Sequence, residues 1–248
     1  MSNLKISLIT VVYNSEETIK KCIESVISQN YPNIEYIIID GGSTDSTLQI
    51  IEQYQSNISF FLSEPDAGIY DAMNKGIKAA TGKIIGTLNS DDFFADDDVI
   101  NCINRAFTQH NTDVVYGNLD YIDLKGNIKR IWKAGRYVNS LFNWGWMPPH
   151  PTFYCKKELF EKFGAYNLQY GTAADYELMV RFIHKHKVSV YYINKTIIKM
   201  SVGGVSNKAY INRYKAWVND YKAMRKNGVI FPPLAIILKP LRKIIQYF

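Results

Sequence analysis

The sequence predicts an α/β protein built on a mainly parallel, Rossmann-like sheet, with an extension after the first half and a C-terminal helical tail. Three observations carry this. Apolar, β-branched runs recur at Ile6–Val12, Ile34–Asp40 and Lys83–Leu88. Segments of helical period separate them, so the connections are crossovers and the strands run parallel. Carboxylates stand where two of the runs stop, at Asp40 and at Asp91-Asp92. In open sheets of this kind ligands collect at the carboxyl ends of the strands.

Taken in order, Ile6–Val12 reads as a buried strand. Asn14-Ser-Glu-Glu opens a helix, with Asn14 as cap and Glu17 at the capping-box position. Ile19, Cys22, Ile23, Val26 and Ile27 follow at helical spacing, which makes Cys22 a core residue. Ile34–Asp40 is the second strand, and Gly41-Gly-Ser-Thr-Asp is a tight turn before a helix over Leu48–Tyr54. A strand at Ile58–Ser63 leads through Glu64-Pro-Asp-Ala-Gly into a helix from Ile69 to Ala80, with Met73, Ile77 and Ala80 facing inward. Lys83–Leu88 then delivers Asn89-Ser-Asp-Asp.

Beyond Asp98 the pattern is less regular. Asp113–Asn118 reads as a strand. Tyr121–Leu124 and Ile128–Trp132 bracket Lys125-Gly-Asn as a hairpin. Lys156–Phe163, Ala173–His186 and Asn207–Asn227 read as helices, and Val188–Met200 as short strands. Trp132, Trp144 and Trp146 either stack on sugar faces or fill the core of an irregular segment. His150, between two prolines, either lines a binding site or is structural.

The composition bounds the function. The chain has 248 residues, 47% hydrophobic and 21% charged, enough for one large domain with a sizeable core. Three dispersed cysteines argue against a disulfide framework and for a reducing compartment. No signal-peptide pattern or membrane-length apolar run is expected, which predicts a cytoplasmic protein. A net charge of +6 favours anionic partners. The cations are dispersed and no recognition motif is present, so nucleic acid is not expected. The tail from Lys239 mixes cations with Leu241, Ile244, Ile245, Tyr247 and Phe248; it either rests peripherally on an anionic membrane or packs on the domain.

Two adjacent carboxylates at a buried strand end are costly without a counter-charge. A divalent cation sharing a substrate diphosphate supplies one most simply.

Three segments, Ile9-Thr-Val-Val-Tyr-Asn, Ile39-Asp-Gly-Gly-Ser-Thr-Asp-Ser-Thr and Leu88-Asn-Ser-Asp-Asp, together resemble the family 2 glycosyltransferases of the GT-A fold. Glu64-Pro-Asp-Ala-Gly-Ile-Tyr-Asp-Ala-Met-Asn-Lys-Gly-Ile and Ala173-Ala-Asp-Tyr-Glu-Leu extend the match over roughly residues 5–205. The resemblance implies a metal-dependent inverting transferase that moves a sugar from a nucleoside-diphosphate donor, usually a UDP-sugar, to a glycan or lipid-linked acceptor. It implies one domain over 1–227: a nucleotide-sugar half over 1–98, an acceptor half over 99–206 and a packing helix over 207–227. A basic amphipathic tail fills 228–248.

By the same resemblance, Val11 offers backbone groups to the base, Tyr13 stacks on it, and Asp40 accepts from its imide. Glu16 reaches ribose or base, and Asp66 approaches from across the cleft. Asp91 faces the ribose or metal, Asp92 coordinates Mg²⁺ or Mn²⁺, and Asp175 is the general base. The turn-forming roles of Asp40 and Asp66 remain open beside these. Relatives carry Arg where this chain has Met73, which leaves Lys75 as a substitute phosphate contact. They often carry a histidine in the loop that here reads Met200-Ser-Val-Gly-Gly-Val-Ser, where Gly203 and Gly204 imply a flap. A sugar nucleotidyltransferase would open with a Gly-rich loop and a basic residue, which residues 9–16 lack. A non-enzymatic partner retaining the fold is disfavoured by the intact Asp40, Asp92 and Asp175.

Overall fold

The computed structural model describes residues 3–123, 125–201, 210–244 and 246. Its centre is a parallel group of four strands: β1 (Ile6–Val12), β2 (Ile34–Asp40), β3 (Phe60–Ser63) and β4 (Ile84–Asn89), ordered β3-β2-β1-β4. Every residue of β1 is buried, as a strand flanked on both edges and covered on both faces requires. Between these strands run α1 (Ile19–Ile27), α2 (Thr47–Glu52) and α3 (Ile69–Ala79). Met73, Ile77 and Ala80 are buried on the inner side of α3, and Cys22 is buried on α1, as their spacing predicts.

The second half continues the same sheet. After β5 (Asp92–Phe94) and α4 (Val99–His110), the chain adds β6 (Val114–Ile122), β7 (Ile128–Trp132), β8 (Tyr154–Lys156) and β9 (Val190–Ser201). Among the described residues the order is β3-β2-β1-β4-β8-β6-β9-β5, with β7 on β6. β8 runs antiparallel to both β4 and β6, and β5 antiparallel to β9. β6 and β9 are parallel to each other. The sheet is therefore mixed but mainly parallel, with apolar clusters on its two faces.

Several boundaries differ from the sequence expectation. Lys156, expected to start a helix, instead ends β8 (Tyr154–Lys156), in which Tyr154 fills the space over Gly86, where a Cβ would collide with its ring. The helix there is α5 (Glu158–Phe163). β5 was not anticipated; three residues carry no readable period. The segment expected as short strands over Val188–Met200 forms one long strand, Val190–Ser201. Asn14 does not cap α1: it adopts φ 45° and its side chain accepts from Thr44 N, while Thr18 is the N-cap without a side-chain bond. The β6–β7 hairpin forms, although Leu124 lies outside the described residues. So do Gly203, Gly204, Ile245, Tyr247 and Phe248.

Ala174–Met179 forms α6, which continues as a wider π-type turn over Val180–Lys185. Two helices, α7 (Tyr210–Lys226) and α8 (Pro232–Ile244), end the chain. The segment expected as a tail is docked: Val229 and Ala235 are buried in the core cluster that holds Tyr176 and Phe142. Among the described residues no helix is long and apolar enough to cross a membrane.

At the opposite end from the strand-end carboxylates, Glu35 ties three strands together. Its carboxylate accepts from Ser7 Oγ at 2.5 Å, Thr81 N at 2.7 Å, the Thr81 hydroxyl and Lys5 Nζ at 2.7 Å. Burial pushes its pKa up, but these donors outweigh burial and hold it at about 2. A carboxyl depressed in the folded state stabilises above its unfolded pKa, near 4.3, and loses that contribution as pH falls through the folded value. Glu35→Gln should cost about 2–3 kcal/mol at pH 7. It should also flatten the dependence of urea stability on pH between about 4.3 and 2. Denaturant titrations at several pH values read both effects.

Candidate functional site

The register of β1 with its neighbours sets the strand ends level. Val12 lies opposite Asp40, Asp40 opposite Ser63, and Val11 opposite Asn89. Three loops therefore leave the sheet side by side, and their polar groups bond to one another. Asn14 N donates to Ser43 Oγ at 2.8 Å, and Ser15 N to Thr47 Oγ1 at 2.8 Å. The hydroxyls of Ser15 and Ser90 are 2.9 Å apart, which joins the β1 loop to the β4 loop.

Asp40 is fully buried. Its Oδ2 accepts from Gly42 N and Ser43 N, each at 3.0 Å, and from Ser63 Oγ at 2.7 Å; its Oδ1 accepts from Ser43 Oγ at 2.5 Å. Its role in the structure is to shape the Gly41–Ser43 turn. Glu16 is exposed and accepts from Ser46 N at 2.8 Å, at the start of α2. Val11 is a buried ladder residue between Ile39 and Asn89.

Gly41 marks where the cleft opens. A Cβ on it would lie 2.6 Å from Asp66 Oδ2 and 3.5 Å from Cδ2 of Tyr13. Tyr13 and Asp66 therefore flank the Gly41 backbone, and Tyr13 leaves 61% of its surface to solvent. An exposed ring beside a bare backbone and a half-buried carboxylate makes a slot suited to a flat polar heterocycle. Asp66 Oδ1 also accepts from Gly68 N at 2.8 Å, so it shapes its own turn as well. Lys75 is held by Glu64 at 2.8 Å and by the Pro65 carbonyl at 3.1 Å, and Met73 is buried. Lys75 is thus tethered beside Asp66, whose charge acts on it.

The paired carboxylates differ. Asp92 is 0% exposed, opens β5 opposite Met200, and accepts from Asn89 Nδ2 at 3.0 Å. Asp91 is half-buried and reaches the surface at the strand end. Burial raises both pKa values, and the neighbouring Asp91 charge raises Asp92 further, well above the carboxylate range. Asp92 Oδ1 and Asn89 Oδ1 are buried without hydrogen-bond partners. This oxygen-only, electron-rich strand end suits a hard divalent ion. Among the described residues no group of three or more His, Cys, Asp or Glu side chains is gathered to hold an ion.

Asp175 is half-buried in the first turn of α6, with its Oδ1 accepting from Tyr176 N at 2.6 Å. Its charge acts on Tyr70, His150 and Tyr166. Those three form one aromatic group: His150 Nε2 is 2.7 Å from Tyr166 OH, and Tyr70 packs on Tyr166 with ring centroids 5.3 Å apart. Burial lowers the His150 pKa, against the Asp175 charge, so His150 is a neutral, packed residue. Thr87, on β4 just before Asn89, lies beside the Tyr166 hydroxyl. Tyr70 stands at the start of α3, just past Asp66 and Gly68. Strand β4 and helix α3 thus connect the Asp91 end and the Tyr13–Asp66 slot to Asp175.

Tyr70, Asn74 and Ser90 lie inside the segments that carry the family resemblance, but Thr87 and Tyr166 stood out by no motif. Asn74 clamps Tyr166 through both backbone groups, at 2.9 Å each. A pair of this kind, 92 positions apart, leaves no periodic trace. Of the tryptophans, Trp146 is core and Trp144 is 53% exposed.

A family model described as Glycosyl transferase family 2 matches residues 7–167, and the chain belongs to that family. A PGL/p-HBAD biosynthesis glycosyltransferase of Mycobacterium bovis is 29% identical over 206 residues, covering 81% of this chain and 78% of that protein. An uncharacterized glycosyltransferase of Mycobacterium tuberculosis is 31% identical over 192 residues, covering 71% and 68%. Solved structures show the shared GT-A fold. S. aureus TarS 1–349 in complex with UDP-GlcNAc superposes with a TM-score of 0.70 at 19% identity, over 90% of this chain and 66% of that one. The mannosyltransferase PcManGT from Pyrobaculum calidifontis, in complex with GDP-Man and Mn²⁺, gives 0.68 at 13% identity, over 96% and 73%. In the longer TarS structure this chain spans 39% of the length.

Helix α6 is anchored by Glu177, which is buried and bound by Arg181 Nε at 3.1 Å and Asn227 Nδ2 at 3.1 Å. Arg181 also donates to the carbonyls of Gly164 at 2.7 Å and Ala165 at 2.8 Å. Arg181→Met should cost about 3–5 kcal/mol by leaving a buried carboxylate unpaired. The double variant with Glu177→Gln should recover part of the loss in urea titrations.

Proposed function

We infer that this chain transfers a sugar from a nucleoside-diphosphate donor to an acceptor hydroxyl, with a divalent cation at the diphosphate and inversion at the anomeric carbon. The observation that carries the reading is the convergence of the Tyr13–Gly41–Asp66 slot, the Asp91 strand end and the Asp175 group along β4 and α3. The family and the donor complexes of its structural neighbours support it, UDP-GlcNAc in one and GDP-Man with Mn²⁺ in another.

In this reading Tyr13 stacks on the base and Asp66 accepts from its edge. Asp40 acts indirectly, by fixing the turn that leaves Gly41 bare; Glu16 does the same for the start of α2. Val11 contributes by its place in the ladder. The residue that meets the cation is Asp91, which reaches the surface. Asp92, expected as the ligand, is fully buried, accepts from Asn89 and keeps one oxygen without a partner, so it stands behind Asp91 as the second candidate. When bound, Mg²⁺ or Mn²⁺ would supply Lewis-acid stabilisation of the departing diphosphate.

Asp175 takes the proton from the acceptor hydroxyl at a carboxylate oxygen. The new bond forms between the acceptor oxygen and the anomeric carbon as the bond from that carbon to the diphosphate oxygen breaks. His150, buried and engaged by Tyr166, holds the wall of the site and takes no part in the proton transfer in this scheme.

A screen of nucleotide sugars, reading nucleoside-diphosphate release with and without Mn²⁺, tests the function; no metal-stimulated release from any donor would reject it. Asp175→Asn should lower turnover about 10²–10⁴-fold while donor affinity by calorimetry stays within about twofold. Asp91→Asn should abolish the metal-dependent part of donor affinity, and retention of that part would return the ligand role to Asp92. Gly41→Val should weaken nucleotide binding at least tenfold, about 1.4 kcal/mol, because the new side chain enters the space between Tyr13 and Asp66.

A further inference from the structure

The turn between α7 and α8 carries features the transferase chemistry does not use. Gly228, at φ 81°, turns the chain, and Val229 is buried with its N–H on the Met224 carbonyl at 3.1 Å. The next two residues point outward: Ile230 is 82% exposed and Phe231 58%. They are held in place, since Ile230 N donates to Asn143 Oδ1 at 3.0 Å. On α8, Ile237 and Leu241 lie four apart and are 60% and 50% exposed, continuing an apolar stripe along the outer face.

Beside this turn lies a hollow whose walls include Lys185, Lys187, Arg225 and Lys226, with His184, Asn227 and Gly228 completing them. No carboxylate lines it. Residues 221–248 hold six Lys and Arg and no Asp or Glu. Large apolar side chains projecting next to a cation-only concavity match one kind of surface: apolar interior below, phosphates above. A second copy of this chain fits poorly, because it would set one cationic face against another.

The geometry points to the α7–α8 corner as a seat on an anionic lipid bilayer, with Ile230 and Phe231 entering the interface and Lys185, Lys187, Arg225 and Lys226 holding lipid phosphates. The same helix pair backs the Asp175 region: Lys239 Nζ lies 3.7 Å over the ring of Tyr176 and 2.7 Å from Asp220. Resting on the transferase reading, the seat makes the acceptor lipid-linked and presented at the bilayer surface.

Sedimentation of the full chain with phosphatidylcholine vesicles, alone or mixed with phosphatidylglycerol, tests the seat. Binding is expected to the mixed vesicles only, and to fall with added salt. The pair Lys185→Gln/Lys187→Gln, and the pair Arg225→Gln/Lys226→Gln, should each lose about twentyfold in vesicle affinity. Ile230→Ser/Phe231→Ser should lose a comparable factor, while all three keep wild-type nucleoside-diphosphate release from the donor in detergent-free solution. Equal binding to both vesicle types, or none, overturns the inference. So does binding to an oligonucleotide in place of vesicles, or a dimer in solution that Phe231→Ser abolishes. Vesicle binding without any donor turnover would uphold the seat and reject the transferase reading instead.

Discussion

The structure depends on the pairing of β1 with both of its neighbours. A parallel ladder fixes register along its whole length, and here it brings Val12, Asp40, Ser63 and Asn89 to one level. A slip of one residue would turn buried Ile and Val side chains to the wrong face. It would also separate Ser15 from Ser90 and Asn14 from Ser43, the bonds that join the loops. Glu35 guards the same register from the far end by tying Ser7 to Thr81. Core packing and site geometry thus rest on one alignment.

Charge is distributed around that alignment with a division of labour. Asp40 and Asp92 are inside and organise backbone and amide groups; Asp66, Asp91 and Asp175 are half-buried. Buried carboxylates that shape loops must be satisfied by donors, and Asp40 is, with four. Asp92 is only partly so, with one oxygen unpaired. A buried oxygen without a partner is costly to the fold alone and becomes favourable when positive charge arrives, so the strand end suits a cation.

Much of the first half was legible because its signals are local. Strands buried on both sides appear as unbroken apolar runs, helices appear at their period, and strand-end carboxylates stand out beside Gly and Ser. The division between Asp91 and Asp92 was not legible, since neighbours in sequence differ only in the side of the chain they face. Asn14 read as a helix cap, yet the neighbouring turn competed for its side chain and won, through Thr44 N. β5 and β8 are three residues each and owe their existence to partners far along the chain. The tail read as amphipathic, but which face would dock was set by Phe142, Tyr176 and Gly145, invisible from the tail itself.

The most direct measurement is a crystal structure of the chain grown with a nucleoside diphosphate and Mn²⁺. The account predicts the base against Tyr13 above Gly41, with Asp66 at its edge, and the ion between the diphosphate and Asp91. A nucleotide bound elsewhere, or an ion held without Asp91, would contradict it.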